Sequence, residues 1–453
     1  MAARMLAGQD SYRAGLAYLE AGQLDAAEQC FRAVTIARPN LAAGHYNLGI
    51  VLRERSEWAG AEAAFRSAIK RDPNYARAHV GLGSILEREG KTAGAEREFR
   101  KAISLDPQLE DGYLFLANLL RGKLNLRGAR HAYESLLARF PDDAEARFGR
   151  GFLSLLEGDF ESGWKDYEYR SARRGLPDRA LTPQWRGENP AGKTLLLYSE
   201  QGIGDAIQFL RYAPILAEKG ARVLAAVPVS VMELASRIEG VHEIVPPTTA
   251  LPRFDFCVPL PSLPLYCGTT SKTIPWKGAY VSPPPGLNFN GPASDTAPGV
   301  TVALAWAGNP QHPNDHNRSL DVRQIMPLFE MPHIRWLILQ RGAGASELNR
   351  MNRANIVQLG DTLTDFSQIA SVICSADVLI TVDTSFCHLG GALGKTVWTL
   401  LSYLPDWRWQ LERSDSPWYP SMRLFRQPSP GNWAAVIANV SSALAAWPQM
   451  IRT

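Results

Sequence analysis

Cysteine is scarce in this 453-residue sequence, and none of its five copies forms a Cys-x-x-Cys pair. Cys30, Cys257, Cys267, Cys374 and Cys387 are scattered. That excludes a disulfide framework and a sequence-local zinc site, and it is the inventory of a reduced, cytoplasmic protein. Long apolar runs are missing too, none reaching the roughly eighteen residues of a membrane span. The first residues, MAARMLAGQDSYRAG, lack the apolar centre of a secretory leader. Charge of one sign is not in excess: a formal net charge of +3 argues against a non-specific nucleic-acid surface. Several catalytic signatures are also absent. The sequence has no HExxH, no GxSxG and no Asp-x-Asp. These absences disfavour a zinc protease, a serine-hydrolase elbow and a metal-chelated nucleotide-sugar site.

What is present begins with a globular composition, 45% hydrophobic and 21% charged, on a length that accommodates two or three domains. The first third is periodic. Pro39, Pro73, Pro107 and Pro141 stand 34 residues apart, as do Phe31, Phe65, Phe99 and Tyr133. Ala27, Ala61, Ala95 and Ala129 keep the same step, as do Gly15, Gly49 and Gly83, with Ala117 in the fourth copy. Small residues at a helix crossing, an aromatic on the second helix and a closing proline form the tetratricopeptide pattern. A fifth, degenerate copy carries Gly151, Gly158 and Tyr167 in register, with GDFESGWKDYEYR as its second helix. There Gly163 replaces the packing alanine, and Trp164, Tyr167 and Tyr169 crowd one helix, so this copy is expected to dock onto the next domain. Stacked helix pairs present a concave face that binds an extended partner. The alternative is a dimerisation surface or spacer, and Asn47 or Arg53 could line the face or simply be solvated.

Arg173–Pro190 is rich in proline, glycine and charge and marks a boundary. Beyond it, short apolar runs alternate with helical spacing, predicting strands at Thr194–Tyr198, Arg222–Val227, His242–Val245 and Phe254–Pro259. After a second proline-rich link, Ser282–Pro298, strands are predicted at Val302–Trp306, Arg335–Gln340, Ile356–Leu359, Val378–Val382 and Thr396–Leu400. The predicted organisation is a repeat solenoid over residues 1–172, a linker over 173–192, one α/β half over 193–285 and another over 299–453. Two such halves leave a ligand cleft between their facing carboxyl edges.

Three stretches carry chemistry at those edges. YSEQGIGDAIQFLRY runs from a strand through a glycine turn into a helix, and Asp205 stands at the helix start. Gln201, Gly202 and Gly204 form the turn. Ile207 occupies the place of the third glycine of a dinucleotide fingerprint, so NAD is disfavoured. On pattern alone Asp205 is a helix cap or a cleft carboxylate. In VLITVDTSFCHLGGALGK, a strand ends at Asp383, Thr384 and Ser385 turn, and a small-residue helix begins. Its free N–H groups suit a diphosphate. Equally, Thr384 or Ser385 could only cap it, and His388 could be a satisfied core histidine. In WAGNPQHPNDHNRSL, Asn309, His312, Asn317 and Arg318 concentrate hydrogen-bonding capacity before a helix that Ser319 can cap. Arg318 would suit a phosphate, or the segment is a solvated loop. Tyr403, Trp407, Trp409, Trp418 and Tyr419 cluster in Ser402–Tyr419 and are read as packing, the alternatives being stacking on a sugar or base or closing the interface between the two halves.

The pairing of Gly204-Asp205 with Asp383-Thr384-Ser385, His388-Leu389 and Ala392-Leu393 resembles the GT-B glycosyltransferases, in particular the heptosyltransferase-like family, over about 193–444. Joined to a tetratricopeptide arm, it resembles bacterial repeat-bearing glycosyltransferases, some of which modify proteins such as flagellin. The fold class implied is α plus α/β: a tetratricopeptide α-solenoid leading into a GT-B-like pair of doubly wound domains. The resemblance implies transfer of a sugar from a nucleotide-sugar donor to an acceptor hydroxyl, with no cofactor and no metal. Asp205 would be the general base. Asp383 would bond the donor sugar; Thr384, Ser385 and His388 would hold the diphosphate, aided by Arg318 and, from its loop, Asn309. The acceptor is expected to be a protein, or a protein reached through an adaptor, on the concave face of the repeats. A glycan- or lipid-linked acceptor and a catalytically silent scaffold are the alternatives. The lead Ser199-Glu200-Gln201 departs from the heptosyltransferase pattern.

Overall fold

The computed structural model describes residues 2–172, 183–287, 289, 299–342, 348 and 353–450. The chain forms two compact units, Met1–Leu153 with Ala172–Arg174, and Ser154–Ser171 with Gly175–Thr453. The division therefore falls inside the helix Ala144–Leu156, ahead of the expected boundary at residue 172. The beginning of the predicted linker, 173–182, lies outside the described residues, as does most of the second proline-rich link, 288 and 290–298.

In the first unit, antiparallel pairs succeed one another: Ala2–Glu20 with Leu24–Ala37, Ala42–Glu54 with Trp58–Arg71, Ala76–Arg88 with Thr92–Leu105, and Glu110–Gly122 with Leu126–Leu137. The 34-residue period has a direct physical cause in three of its positions. The rings of Phe31, Phe65 and Phe99 are fully buried, each worth roughly 2 kcal/mol of transfer. They lie where a β-carbon on the preceding helix would stand. A Cβ at Gly15 would meet Phe31 at 2.9 Å and one at Gly49 would meet Phe65 at 2.7 Å, while one at Gly83 would collide with Phe99. Glycine there permits the helices to cross at the ring.

The helix-to-helix turn repeats as well. Gly22, Ser56, Gly90, Leu124 and Gly158 all have positive φ, between 56° and 86°. The next N–H reaches back across the turn, as in Glu57 N to Leu52 O and Lys91 N to Leu86 O, both 2.8 Å. This is the left-handed helix end that glycine enters freely and other residues enter at a cost. A third device closes each pair. His45, His79, Tyr113 and Arg147 donate to the carbonyls of Pro39, Pro73, Pro107 and Pro141, at 3.0, 3.1, 3.3 and 2.7 Å.

The second unit contains two parallel sheets. The first is built from β1 (Thr194–Tyr198), β2 (Arg222–Ala226), β3 (Val241–Ile244) and β4 (Phe256–Pro259), in the order β3-β2-β1-β4. The second contains β5 (Val300–Ala305), β6 (Ile334–Ile338), β7 (Ile356–Gln358), β8 (Val378–Val382), β9 (Val397–Leu401) and β10 (Met422–Arg426), in the order β10-β9-β8-β5-β6-β7. β8 and β9 are buried throughout, as parallel strands covered on both faces must be. β10 was not anticipated from the sequence, because arginines at 423 and 426 interrupt its apolar pattern.

Two local expectations are corrected. The linker ends early: Pro183–Trp185 pair along β4, with Trp185 N donating to Cys257 O and Cys257 N to Pro183 O, both at 2.8 Å. The helix after β1 begins at Ile203, two residues ahead of the Asp205 expected at its start, and is interrupted, running Ile203–Phe209, a tight turn, then Ala213–Glu218. Pro214, at the start of the last piece, has no N–H to continue the ladder.

Candidate functional site

The second unit brings two helix starts face to face at the carboxyl ends of β1 and β8. A Cβ placed on Gly204 would lie 2.7 Å from the His388 ring and 3.5 Å from Ser385 Cα. Glycine is required here for close approach. Gly202 caps the first helix, and Asp205 sits in its first turn, with Gly202 N donating to Asp205 Oδ2 at 2.9 Å. Its other oxygen accepts from Arg408 Nη2. The Asp205 side chain is only 21% exposed, and that of Arg408 only 7%.

Arg408 was not anticipated as a site residue. It lies beyond β9 in the aromatic run Trp407-Arg408-Trp409 and donates to Asp205, to Gln208 Oε1 and, at 2.8 Å, to Asp406 Oδ1. Its guanidinium lies 4.3 Å from the centre of the Trp407 ring. The available signal was an arginine between two tryptophans, which suits a desolvated cation on an aromatic face. Arg211 is another such cation. It is buried, donates to Trp418 O at 2.8 Å and to Gln208 O at 2.8 Å, and lies over Tyr419 at 4.6 Å.

On the facing helix, Ser385–Ala392, Thr384 is the cap, its hydroxyl accepting from Phe386 N at a long 3.4 Å. Asp383, Thr384, Ser385 and Phe386 are all partly exposed. Arg318 Nη1 donates to Asp383 O at 3.0 Å, and Arg318 Nε to Asp315 Oδ1 at 3.3 Å. The loop after β5 thus delivers Arg318 to the end of β8. Ser319 does not cap the helix Val322–Phe329; its hydroxyl accepts from Gly308 N at 2.9 Å. Asp321 caps instead, accepting from Arg323 N at 2.9 Å, because its carboxylate stands one residue ahead of the helix.

Asn309 is exposed, and its Oδ1 accepts from Gln311 N at 3.0 Å within its own loop. None of its described contacts joins it to Asp205 or Asp383. His388 is buried, with Nδ1 3.1 Å from Tyr419 Oη and its ring stacked on Trp409 at 5.5 Å. Of the two readings of this residue, the geometry is that of a satisfied core histidine. Gln201 faces Tyr167, whose hydroxyl donates to Gln201 Oε1 at 3.3 Å.

Electrostatics separate these groups. Burial raises the Asp205 carboxyl above its ordinary range, with Arg408 opposing the shift. Asp383 is pushed up to about 6 by burial and by the neighbouring Asp406 charge, partly offset by Trp409, Arg408 and Arg318. Burial drives His388 well below its usual value, and Arg408 and Arg211 add to this, so its ring is neutral. Two carboxyls held above their ordinary range, one in the first turn of the helix after β1 and one at the end of β8, are candidates for proton transfer. Asp383, Cys387 and His388 also place one donor each within 4.8 Å of one another. However, the Cys387 thiol donates to Thr384 O at 2.8 Å and burial raises it well above the thiolate range. This donor set does not fit a metal.

A tetratricopeptide repeat family matches residues 12–75, 46–110 and 116–176, so the N-terminal region carries tetratricopeptide repeats. Protein FlbA of Caulobacter vibrioides is 24% identical over 333 residues, which are 67% of this chain and 56% of that protein. The chain thus spans little more than half the length of that relative. The crystal structure of MamA protein is similar over 39% of this chain and 98% of its own, at 21% identity and a TM-score of 0.33. PilF of Pseudomonas aeruginosa covers 48% of this chain and 87% of its own, at 17% identity and a TM-score of 0.38. Among the described residues, no helix is long and apolar enough to cross a membrane.

Proposed function

We propose that the second unit is a metal-independent glycosyltransferase of GT-B type, acting on a protein that the repeats recruit. The observation that supports this reading is the opposition of Asp205 to the Ser385 helix start, at a distance that glycine at 204 alone permits. Asp205 is the general base. Each of its oxygens accepts one described hydrogen bond, which leaves a lone pair on each for an acceptor hydroxyl proton. The donor diphosphate lies at the start of Ser385–Ala392, where the weak Thr384 cap leaves helix N–H groups available and Arg318 stands adjacent. Leaving-group charge is stabilised there without a metal. His388 serves this site by closing the two helix starts on one another, not by binding phosphate. The repeats supply a groove of about 320 Å³ lined by Tyr46, Ile50, Arg53, Val80, Leu114 and Phe115, the place for an extended acceptor segment.

A second reading, a catalytically silent scaffold, draws on Arg408, which neutralises the same carboxylate. Thermal denaturation of the full chain with nucleoside diphosphates and nucleotide-sugars separates the two. A donor raises the unfolding temperature in proportion to the logarithm of its concentration over its dissociation constant. A chain that responds to no nucleoside diphosphate is a scaffold.

A further inference from the structure

We infer that the last helical segment of the repeat pattern, residues 160–171, is a working part of the site, with Arg170 and Trp164 as positioning residues for the loops that carry Asp205 and Arg408. The inference rests on the transferase reading for its kinetic consequence, but its geometry stands independently. The segment groups with the second unit, not with the repeats it continues in sequence.

Arg170 is 3% exposed. Its Nε donates to Glu200, its Nη1 to Glu168 Oε1 at 2.5 Å and its Nη2 to Ser262 Oγ at 2.5 Å, while Ser262 Oγ donates to Glu168 Oε2 at 2.9 Å. Glu200 stands just ahead of the glycine turn that places Asp205. One buried guanidinium between two carboxylates therefore fixes the lead into that turn, in a dry setting where such bonds are directional. The second loop is fixed by aromatic packing. Trp164 stands edge-on to Trp407 at 5.1 Å, and Tyr167 does so at 5.7 Å. Trp164 is itself anchored, its indole N–H donating to Thr269 O at 2.9 Å. Trp407 carries Arg408 on its face, and Arg408 holds Asp205. Two chains of contact thus leave the same segment and meet at one carboxylate. The Tyr167 hydroxyl senses both ends: burial raises its pKa, Arg408 lowers it and Asp205 raises it.

A purely structural cover would change stability when trimmed and leave turnover alone. A positioning helix changes turnover, because a misplacement of the base well short of its removal already slows a reaction. The test uses the full chain with Glu200→Gln, which keeps an acceptor for Arg170 and removes the charge. The expected result is a fall in kcat of about tenfold with the donor KM within about twofold, as the loss of one charge-assisted contact implies. Backbone amide exchange across Ser199–Asp205 accelerates by a similar factor. Trp164→Leu lowers kcat in the same way, and Trp164→Phe restores part of it. Glu200→Gln with unchanged kcat and unchanged amide exchange overturns the inference. If no donor gives transfer, the transferase reading falls by itself, and the exchange rates still decide whether Arg170 orders the turn.

Discussion

In the repeat unit each structural solution recurs; in the α/β unit each solution at the site occurs once. The pairing of a glycine with a buried phenylalanine appears at Gly15 and Phe31, again at Gly49 and Phe65, and again at Gly83 and Phe99. The bond to a proline carbonyl appears from 45, 79, 113 and 147. By contrast, the site joins residues 205, 208, 406 and 408 through one guanidinium. Partners in the repeats lie close in sequence, whereas Arg408 reaches Asp205 across 203 positions. Local, repeated contacts spread their energy, so a single loss is buffered by neighbouring copies. A unique hub concentrates the effect of a single loss on the groups it joins.

The largest break in this comparison is Asp205→Asn. The amide still accepts hydrogen bonds but takes no proton, so transfer should fall by about a thousandfold while nucleotide affinity stays within a few-fold. Turnover and isothermal titration on the same preparation measure both. Undiminished transfer removes Asp205 as the base and returns it to a helix cap.

Next is Gly83→Val, a repeat-unit counterpart chosen because a Cβ there collides with the Phe99 ring. Overpacking of this kind costs about 1–3 kcal/mol. Calorimetry should show the repeat transition moving down while kcat on a small acceptor is unchanged. An equal loss in both units would show that the chain melts as one cooperative block.

Asp383 sharpens the contrast through pH. Its carboxyl is raised to about 6 in the folded chain, against roughly 4 when unfolded. A raised acid contributes stability that is full below the unfolded value and is lost as pH rises toward the folded value, here between about 4 and 6. Asp383→Asn should therefore stabilise the second unit at pH 8, by at most about 3 kcal/mol. In the unchanged chain, diphosphate affinity should fall several-fold as pH rises from 5 to 7, because ionised Asp383 adds repulsion beside the phosphate. The variant should bind with no such dependence. A flat affinity in the unchanged chain would move the diphosphate away from Asp383.

The same contrast decides what the sequence disclosed. The repeats were legible because a period is a self-comparison: prolines, glycines and aromatics 34 apart announce one supersecondary unit. Strands such as β1 and β8 were legible at their bounds, being apolar runs ending in a polar turn. The placement of Asp205 in the first turn after β1 and of Asp383 directly after β8 followed from that same pattern. Arg408 was not, because nothing local distinguishes a buried arginine between tryptophans from a packing stretch; its role depends on partners 200 residues away. The local partners of His388 and Asn309 were hidden for the complementary reason. Their chemistry suits a ligand, but burial against Trp409 and a loop-internal bond to Gln311 use it locally. The partners of Glu200 and Gln201 were equally hidden, since they meet Arg170 and Tyr167, about 30 residues earlier in the chain.

The smallest effect is predicted where a repeat breaks its own rule. Of the left-handed turn positions, Gly22, Gly90 and Gly158 hold glycine, whereas Ser56 and Leu124 do not, and Ser56 adopts φ 63° without glycine's freedom. Ser56 is exposed, so its side chain contributes no core contact. A residue with a β-carbon in this conformation costs about 1 kcal/mol relative to glycine, and glycine returns part of that through the entropy of the unfolded chain. Ser56→Gly should therefore stabilise the repeat unit by about 0.5–1 kcal/mol, raising its unfolding temperature by a few degrees. Gly90→Ser, at the equivalent turn of the next pair, should lower it by a comparable amount. Because the two changes are the same exchange in opposite directions, their magnitudes should match only if adjacent repeats are energetically equivalent. A clear mismatch would locate where along the array the repeats stop being interchangeable.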